Sequence, residues 1–328
     1  MNQIEYQRRL QAQGVPEAEI RQKLCAVQAF ETWLAGQRLR LEDAAEAEVR
    51  QYARHLIGMP HNTTETYDAL SEYAAVNGLR ALYVAFLEVT DCYGAMEMLR
   101  DTIQAQHGTA IRDQIFTEPI PPLGADEAER FAYTKQINER MNALLTKEQC
   151  RAAWFEVQHG LPKAFWKAYD DKQRETFGAC TSPDELVDAL VGDRCTMIKR
   201  MHDENRLWYT QEVTGDAMRY LLDTPYLQMG EHNGRRGIVV TKVPYQTHQA
   251  LHAADDRMKR YYTCHCPLIR EAIWKGETLS DDVCYCSLGH ASHYLAGIGL
   301  DTLEGEVLES AVKGDPRCRF IFYLPEET

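Results

Sequence analysis

Four of the ten cysteines in this 328-residue chain stand between positions 264 and 286, as Cys264-His-Cys266-Pro and Cys284-Tyr-Cys286. A fifth, Cys318, closes the run Lys313-Gly-Asp-Pro-Arg-Cys318. Cysteine is scarce, and its thiolate binds soft and borderline cations, so two Cys-x-Cys pairs plus an outlier point to a tetrahedral, thiolate-rich site. In an extended segment residues i and i+2 face one side, which lets each pair present both sulfurs together. Pro267 favours an extended Cys266 ahead of a helix beginning near Leu268. The candidate ligands are Cys264, Cys266, Cys284, Cys286 and Cys318, and the expected ion is zinc, with iron left open. A redox-active dithiol and unligated buried thiols are the competing readings. Cys150, Cys180 and Cys195 are scattered and read as buried thiols.

Composition narrows the setting. A hydrophobic fraction of 45% and a charged fraction of 26% are those of an ordinary globular protein. The net charge of −13 argues against general affinity for nucleic acid or anionic membrane. The first residues lack the apolar core of a signal peptide. Apolar runs such as Ala81–Leu87 are far shorter than the roughly 20 residues that span a bilayer. The chain therefore reads as cytoplasmic, where its cysteines are thiols or metal ligands rather than disulfides.

The length suggests two domains. Residues 1–115 read as an all-α helical bundle: apolar residues recur at helical spacing in Ile20, Leu24, Val27, Phe30 and Leu34, and in Val49, Tyr52 and Leu56. Asn62-Thr-Thr-Glu65 has the form of a capping box, and Leu79–Ile103 reads as one long helix with Cys92 in its core. Three prolines and a glycine in Phe116–Ala125 mark a linker over 116–125. Residues 126–328 read as an α+β domain, helices packed on a small antiparallel sheet. Ser182-Pro-Asp-Glu185 is a strong helix start. Helices are expected over Met197–Trp208 and Gln246–Tyr261. Strands are expected over Arg236–Val243 and Arg317–Leu324, the former β-branched and alternating. The pair His248 and His252 shares one face at i, i+4, either a weak metal motif or a solvated helix face.

Two resemblances add to this. Cys284-x4-Gly289-His-Ala-Ser292, followed by Gly314-Asp-Pro-Arg-Cys318-Arg-Phe320, resembles the vinyl-reductase-type (4-vinyl reductase) ligand-binding domain. The close is also similar to the L-2-amino-thiazoline-4-carboxylic acid hydrolase family. The resemblance covers roughly residues 200–328 and implies a bound zinc ion beside a pocket for a small apolar or aromatic molecule. Carried over by position, two of the family's zinc ligands fall on Cys284 and Cys318, its acid ligand falls close to Cys264, and a further cysteine falls on Ser310. Serine is a poor zinc ligand, so Cys266 or Cys286 would have to fill that corner. Tyr261, Tyr262, Trp274, Tyr285 and Tyr294 are candidate pocket lining, with ordinary core as the alternative. His265, His290 and His293 are candidate general bases or outer partners of the ligands. In the N-terminal part, Gly14-Val-Pro-Glu-Ala-Glu-Ile20, Phe30–Leu34, Leu41-Glu-Asp43 and Val49–Leu56 weakly resemble the core-binding domain of phage-type integrases. That family clamps DNA with a basic face, but residues 1–110 hold 10 Lys/Arg against 15 Asp/Glu.

The expected function is a zinc-containing small-molecule-binding protein whose helical bundle docks a protein partner or self-associates. One alternative is a metal- or cysteine-dependent hydrolase of a small heterocyclic or amide substrate, which needs an open ligand position or an unligated cysteine near a histidine. The other is a DNA-associated protein acting through the bundle.

Overall fold

The computed structural model describes residues 3–277 and 279–325. The architecture is a helical bundle followed by an α+β region. By its contacts the chain divides into two units, Met1–Tyr93 with Pro121–Arg130, and Gly94–Ile120 with Phe131–Thr328.

The first unit contains α1 (Gln3–Ala12), α2 (Glu17–Gly36), α3 (Glu46–Leu56), α4 (Thr64–Val76) and α5 (Arg80–Thr90). The apolar stripe of α2 forms its centre. The Phe30 ring meets Tyr52 at 4.9 Å and Phe86 at 5.1 Å, and Ile20, Val27 and Leu34 are fully enclosed around it. Thr63 caps α4 by accepting the Thr66 amide.

The helix expected over 79–103 is two helices, α5 ending at Thr90 and the next beginning at Ala95, because the helical backbone is interrupted at 91–94. Cys92 and Gly94 both take positive φ there, 55° and 72°. Cys92 is buried as expected. The second half, α6 (Ala95–His107), and α7 (Thr109–Ile115) group with the C-terminal unit rather than with the bundle. Backbone proximity accounts for this: a Cβ on Gly160 would stand 2.5 Å from the Ala95 nitrogen, so α6 starts in direct contact with the 160 turn.

The second unit continues with α8 (Glu127–Leu144, its first turn grouped with the bundle), α9 (Lys147–Phe155), α10 (Lys163–Phe177) and α11 (Pro183–Asp203). Ser182 caps α11, with Pro183 in its first turn. The helix expected over 197–208 ends at Asp203, and Leu207–Trp208 instead forms β1, paired with β2 (Gln211–Glu212). After α12 (Gly215–Asp223) come β3 (Leu227–His232) and β4 (Arg235–Thr241). The helix expected over 246–261 is broken into α13 (Thr247–Leu251) and α14 (Asp256–Thr263) by the Asp255 cap, which receives the Met258 amide at 2.8 Å. Then follow α15 (Arg270–Lys275), α16 (Tyr285–Ser292), β5 (Gly305–Glu309) and β6 (Arg319–Tyr323).

The main sheet is antiparallel throughout, in the order β3-β4-β6-β5. The two strands legible from sequence, β4 and β6, are its central pair and are buried over most of their length. Helix α16 lies on this sheet through Leu288, which sits beside Gly305 and Phe322. Its other flank presses on α9, where a Cβ on Gly289 would stand 2.0 Å from the Phe155 carbonyl oxygen. Among the described residues no helix is long and apolar enough to cross a membrane.

The substitution Gly289→Ala tests this contact. Alanine favours a helix over glycine by about 1 kcal/mol, but here its methyl meets backbone that cannot rotate away. A net loss of about 1–3 kcal/mol is expected, read as a lower urea midpoint with an unchanged slope.

Candidate functional site

The site is built at one end of the sheet. Where β4 ends, the Lys242 amide donates to the Cys318 carbonyl at 2.9 Å, so Lys242 and Cys318 lie side by side. Where β5 ends, Ser310 begins a tight turn: its amide donates to the Asp315 carboxylate at 2.8 Å, and Gly314 supplies the left-handed φ of 113°. That turn returns the chain to Cys318, whose sulfur accepts the Ala311 amide at 3.5 Å. The Arg260 guanidinium of α14 donates to the Ala311 carbonyl at 3.1 Å and anchors the segment that leads into Cys264. The turn preceding α16 supplies Cys284, whose sulfur lies 3.1 Å from the Ser310 hydroxyl.

Cys264, Cys266, Cys284 and Cys318 thus come within electrostatic reach of one another. Burial pushes the Cys264 thiol far up, and Cys318 and Cys266 push it further. Burial also raises Cys284, with added repulsion from Cys318, Cys264 and Cys266. Cys318 is raised by burial, while the Ala311 amide and Lys242 act against it. Each thiolate therefore needs a neighbouring cation to form. Among the described residues, no three of these sulfurs close to within 4.8 Å of one another. Cys286 lies apart from the group. It belongs to α16 itself, where residues two apart point in different directions, and its sulfur accepts the His159 amide at 3.1 Å.

Beside the thiols lies a polar cluster that sequence reasoning largely missed. Ser287, on the first turn of α16, has its hydroxyl 3.0 Å from His159 Nε2 and accepts from Lys242 Nζ at 3.2 Å. The His159 ring stacks on His290 at 4.4 Å. His290 in turn meets the edge of Trp166 at 5.0 Å and of Tyr294 at 5.5 Å. Trp166 lies flat on His293, with centroids 4.0 Å apart, and His293 Nδ1 is held by Asp170 at 2.8 Å. Trp166 and Asp170 are successive positions on the buried face of α10. Trp166 Nε1 and His293 Nε2 are both buried and have no hydrogen-bond partner among the described residues. Two such atoms in adjacent, stacked rings are an expensive feature unless something polar binds there.

His159 reaches the cluster from a strained turn. Gln158, His159 and Gly160 take φ values of 46°, 63° and 75° in succession. Left-handed backbone costs about 1–2 kcal/mol at a non-glycine residue, and the Cys286 contact helps to hold it. Burial drives the His159 imidazole well below its ordinary range, reinforced by His290 and Lys242. His265 is likewise depressed by burial and by Lys242, with its Nε2 facing the Val243 carbonyl at 2.6 Å. Burial, then Lys242 and His293, lower His290 to about 3. All three rings are neutral at physiological pH.

The other residues expected to line a pocket are dispersed. Tyr294 borders the cluster, but Tyr285 lies under the Arg151 guanidinium at 4.8 Å. Tyr261 packs on Tyr262 at 5.5 Å and on Trp274 at 5.8 Å, and Trp274 is 50% exposed, so this aromatic group faces outward. His159, Trp166, Asp170, Lys242 and Ser287 carry no local sequence signal. The His-Gly step at 159–160, a turn signal directly after a helix, was the one available hint. No family model, curated protein or solved structure matches the chain.

The neutral histidines make stability acid-sensitive. Over the pH interval between the folded and unfolded pKa, a histidine held below its unfolded value takes up its proton only on unfolding. For His290 the stabilisation is complete above about 6.5 and is lost as pH falls from there towards about 3. Melting temperature should drop between pH 7 and pH 4, and His290→Gln should flatten that drop. An unchanged profile in the variant would show that His290 already titrates normally.

Proposed function

We propose that the C-terminal unit binds a small ring-bearing molecule beside a zinc ion held by Cys264, Cys266, Cys284 and Cys318. The observation that carries the metal half is the gathering of four thiols, from three separate segments, in which Cys264, Cys266 and Cys318 raise the ionisation cost of their neighbours. A divalent cation removes that cost and releases the thiol protons. The sulfur donor set suits zinc. The sulfurs stand too far apart for a closed shell, so binding would draw the side chains inward. The likeness to the vinyl-reductase-type domain points to the same ion, with Ser310 beside Cys284 where that family has a cysteine and Cys266 supplying the missing thiolate.

The ligand half rests on the two unpartnered ring nitrogens, Trp166 Nε1 and His293 Nε2, next to neutral imidazoles and the Lys242 ammonium. Flat rings on several sides favour a planar molecule, and the donors favour one bearing a hydroxyl or an acidic group.

Purified protein should carry close to one zinc per chain, and chelation should lower its melting temperature. Cys284→Ser and Cys318→Ser should lose the ion, whereas Cys286→Ser should keep it. Phenol or benzoate should quench Trp166 fluorescence in the wild type and fail to do so in the other four tryptophans, as read in a Trp166→Phe variant. Metal-free protein that melts normally sinks the metal half, and quenching that persists in Trp166→Phe sinks the ligand half.

A second reading has its own observation. Ser287, hydrogen-bonded to a neutral imidazole and to an ammonium, has the form of an activated hydroxyl nucleophile. In this reading Ser287 Oγ attacks an amide carbonyl and its proton passes to His159 Nε2, which returns it to the departing amine as the C–N bond breaks; water then hydrolyses the ester left on Ser287. An amide or anilide hydrolysis assay checks it: activity lost about a hundredfold or more in Ser287→Ala and in His159→Gln supports a hydrolase. No turnover by the wild type across a small panel removes it.

A further inference from the structure

We propose that Asp216, His248 and His252 form a surface site for one divalent first-row transition-metal ion of the nickel, copper and zinc type. The site lies outside the thiol and histidine clusters described above.

The three residues come from two helices. Asp216 stands in the first turn of α12, while His248 belongs to α13 and His252 caps its C-terminal end. The His252 amide donates to the His248 carbonyl at 3.2 Å, so the helical turn persists through the cap and both imidazoles project from one side. One donor atom from each of the three residues lies within 4.8 Å of the others, and among the described residues no other group of histidine, cysteine and acid side chains gathers so tightly.

The arrangement holds more than one His–Asp pair, because both imidazoles converge on the same carboxylate. His252 Nε2 lies 2.5 Å from one carboxylate oxygen of Asp216, which would satisfy a His–Asp pair by itself. His248 Nδ1 lies 3.7 Å from the other oxygen, and the two rings are only 4.6 Å apart. Two imidazole nitrogens and one carboxylate converging this closely form a mixed nitrogen and oxygen donor set of the kind that holds a divalent transition-metal ion.

The donors are also oriented from behind. The Thr214 hydroxyl donates to the Asp216 carboxylate and lies 3.2 Å from His248 Nδ1. The Ala217 amide donates to the same carboxylate oxygen at 2.9 Å. Outer hydrogen bonds of this kind fix the direction of metal-binding side chains before the ion arrives. The three side chains are 33%, 37% and 59% exposed for Asp216, His248 and His252, so water can complete the coordination on the outer side. Imidazole and carboxylate donors suit this group of ions and offer little to calcium or magnesium, which favour all-oxygen shells. A bound ion would clamp the start of α12 to the end of α13.

Calorimetric titration of the full-length protein with Ni²⁺ tests the site, because nickel distinguishes this nitrogen and oxygen set from four thiolates. One equivalent is expected to bind the wild type and, with the same affinity, the Cys284→Ser variant. Asp216→Ala and His248→Ala should each weaken binding about tenfold or more, and Thr214→Val should weaken it by less. All are exposed or half-buried positions, so a circular-dichroism melt without metal should match the wild type. Equal binding by wild type and His248→Ala/His252→Ala overturns the site. So does loss of binding in Cys284→Ser, which would assign the nickel to the thiols.

Discussion

Helix α16 runs so close to α9 that residue 289 has room for no side chain. That backbone contact fixes the helix from one side, and Leu288 fixes it against the sheet from the other. The turn leading into α16 is held as well, since buried Asp282 receives the Arg151 guanidinium of α9 at 2.9 Å. This charge-assisted hydrogen bond ties the turn to α9 on a second side. Every functional group on the helix inherits its position from these contacts. Cys284 faces the sheet end, Cys286 and Ser287 meet the 158–160 turn, and His290 and His293 continue towards α10. The helix is short, and its placement does what its own length could not.

Local chemistry made much of the fold legible. The Ser182-Pro183 start, the apolar stripe of α2 and the β-branched runs of β4 and β6 are self-contained signals, and each leads to the corresponding element. The breaks were less visible. Nothing in the composition of 79–103 announces that Cys92 adopts a left-handed backbone, since φ above zero is rare for cysteine and carries no signature there. The edge strands β3 and β5 were hidden for a different reason. They are only partly buried and mix polar residues and glycine into the strand, so their pattern resembles that of a loop.

The candidate site was legible only where its residues are close in sequence. The cysteines announce themselves by spacing, but the same spacing has two outcomes. Around Cys264 the backbone is extended, whereas Cys284 and Cys286 stand at the start of a helix, which sends them in different directions. His159, Lys242 and Ser287 are separated by 83 and 45 positions, and only the packing of α16 between sheet and helices unites them. A single sequence holds no record of that proximity. The turn at 158–160 adds a further reason. Its geometry is imposed by neighbours, including the close passage of Gly94 and Ala95 past Gly160, and is not preferred by its own residues.

The neutral state of the buried histidines has a consequence for recognition. A neutral imidazole carries one N–H and one lone pair, so it can present either to a guest, and it changes between them by shifting a proton across its own ring. His265 has given up that freedom, because its Nε2 faces a carbonyl and must carry the hydrogen, which leaves Nδ1 as an acceptor. His293 has an acidic partner instead, its Nδ1 lying 2.8 Å from an Asp170 carboxylate oxygen. Among the described residues, His159 and His290 have no carbonyl or carboxylate partner of this kind to fix their tautomers. The cluster thus combines one ring of set polarity with two that can adapt, so hydrogen-bonding partners of opposite character can be met without moving any heavy atom.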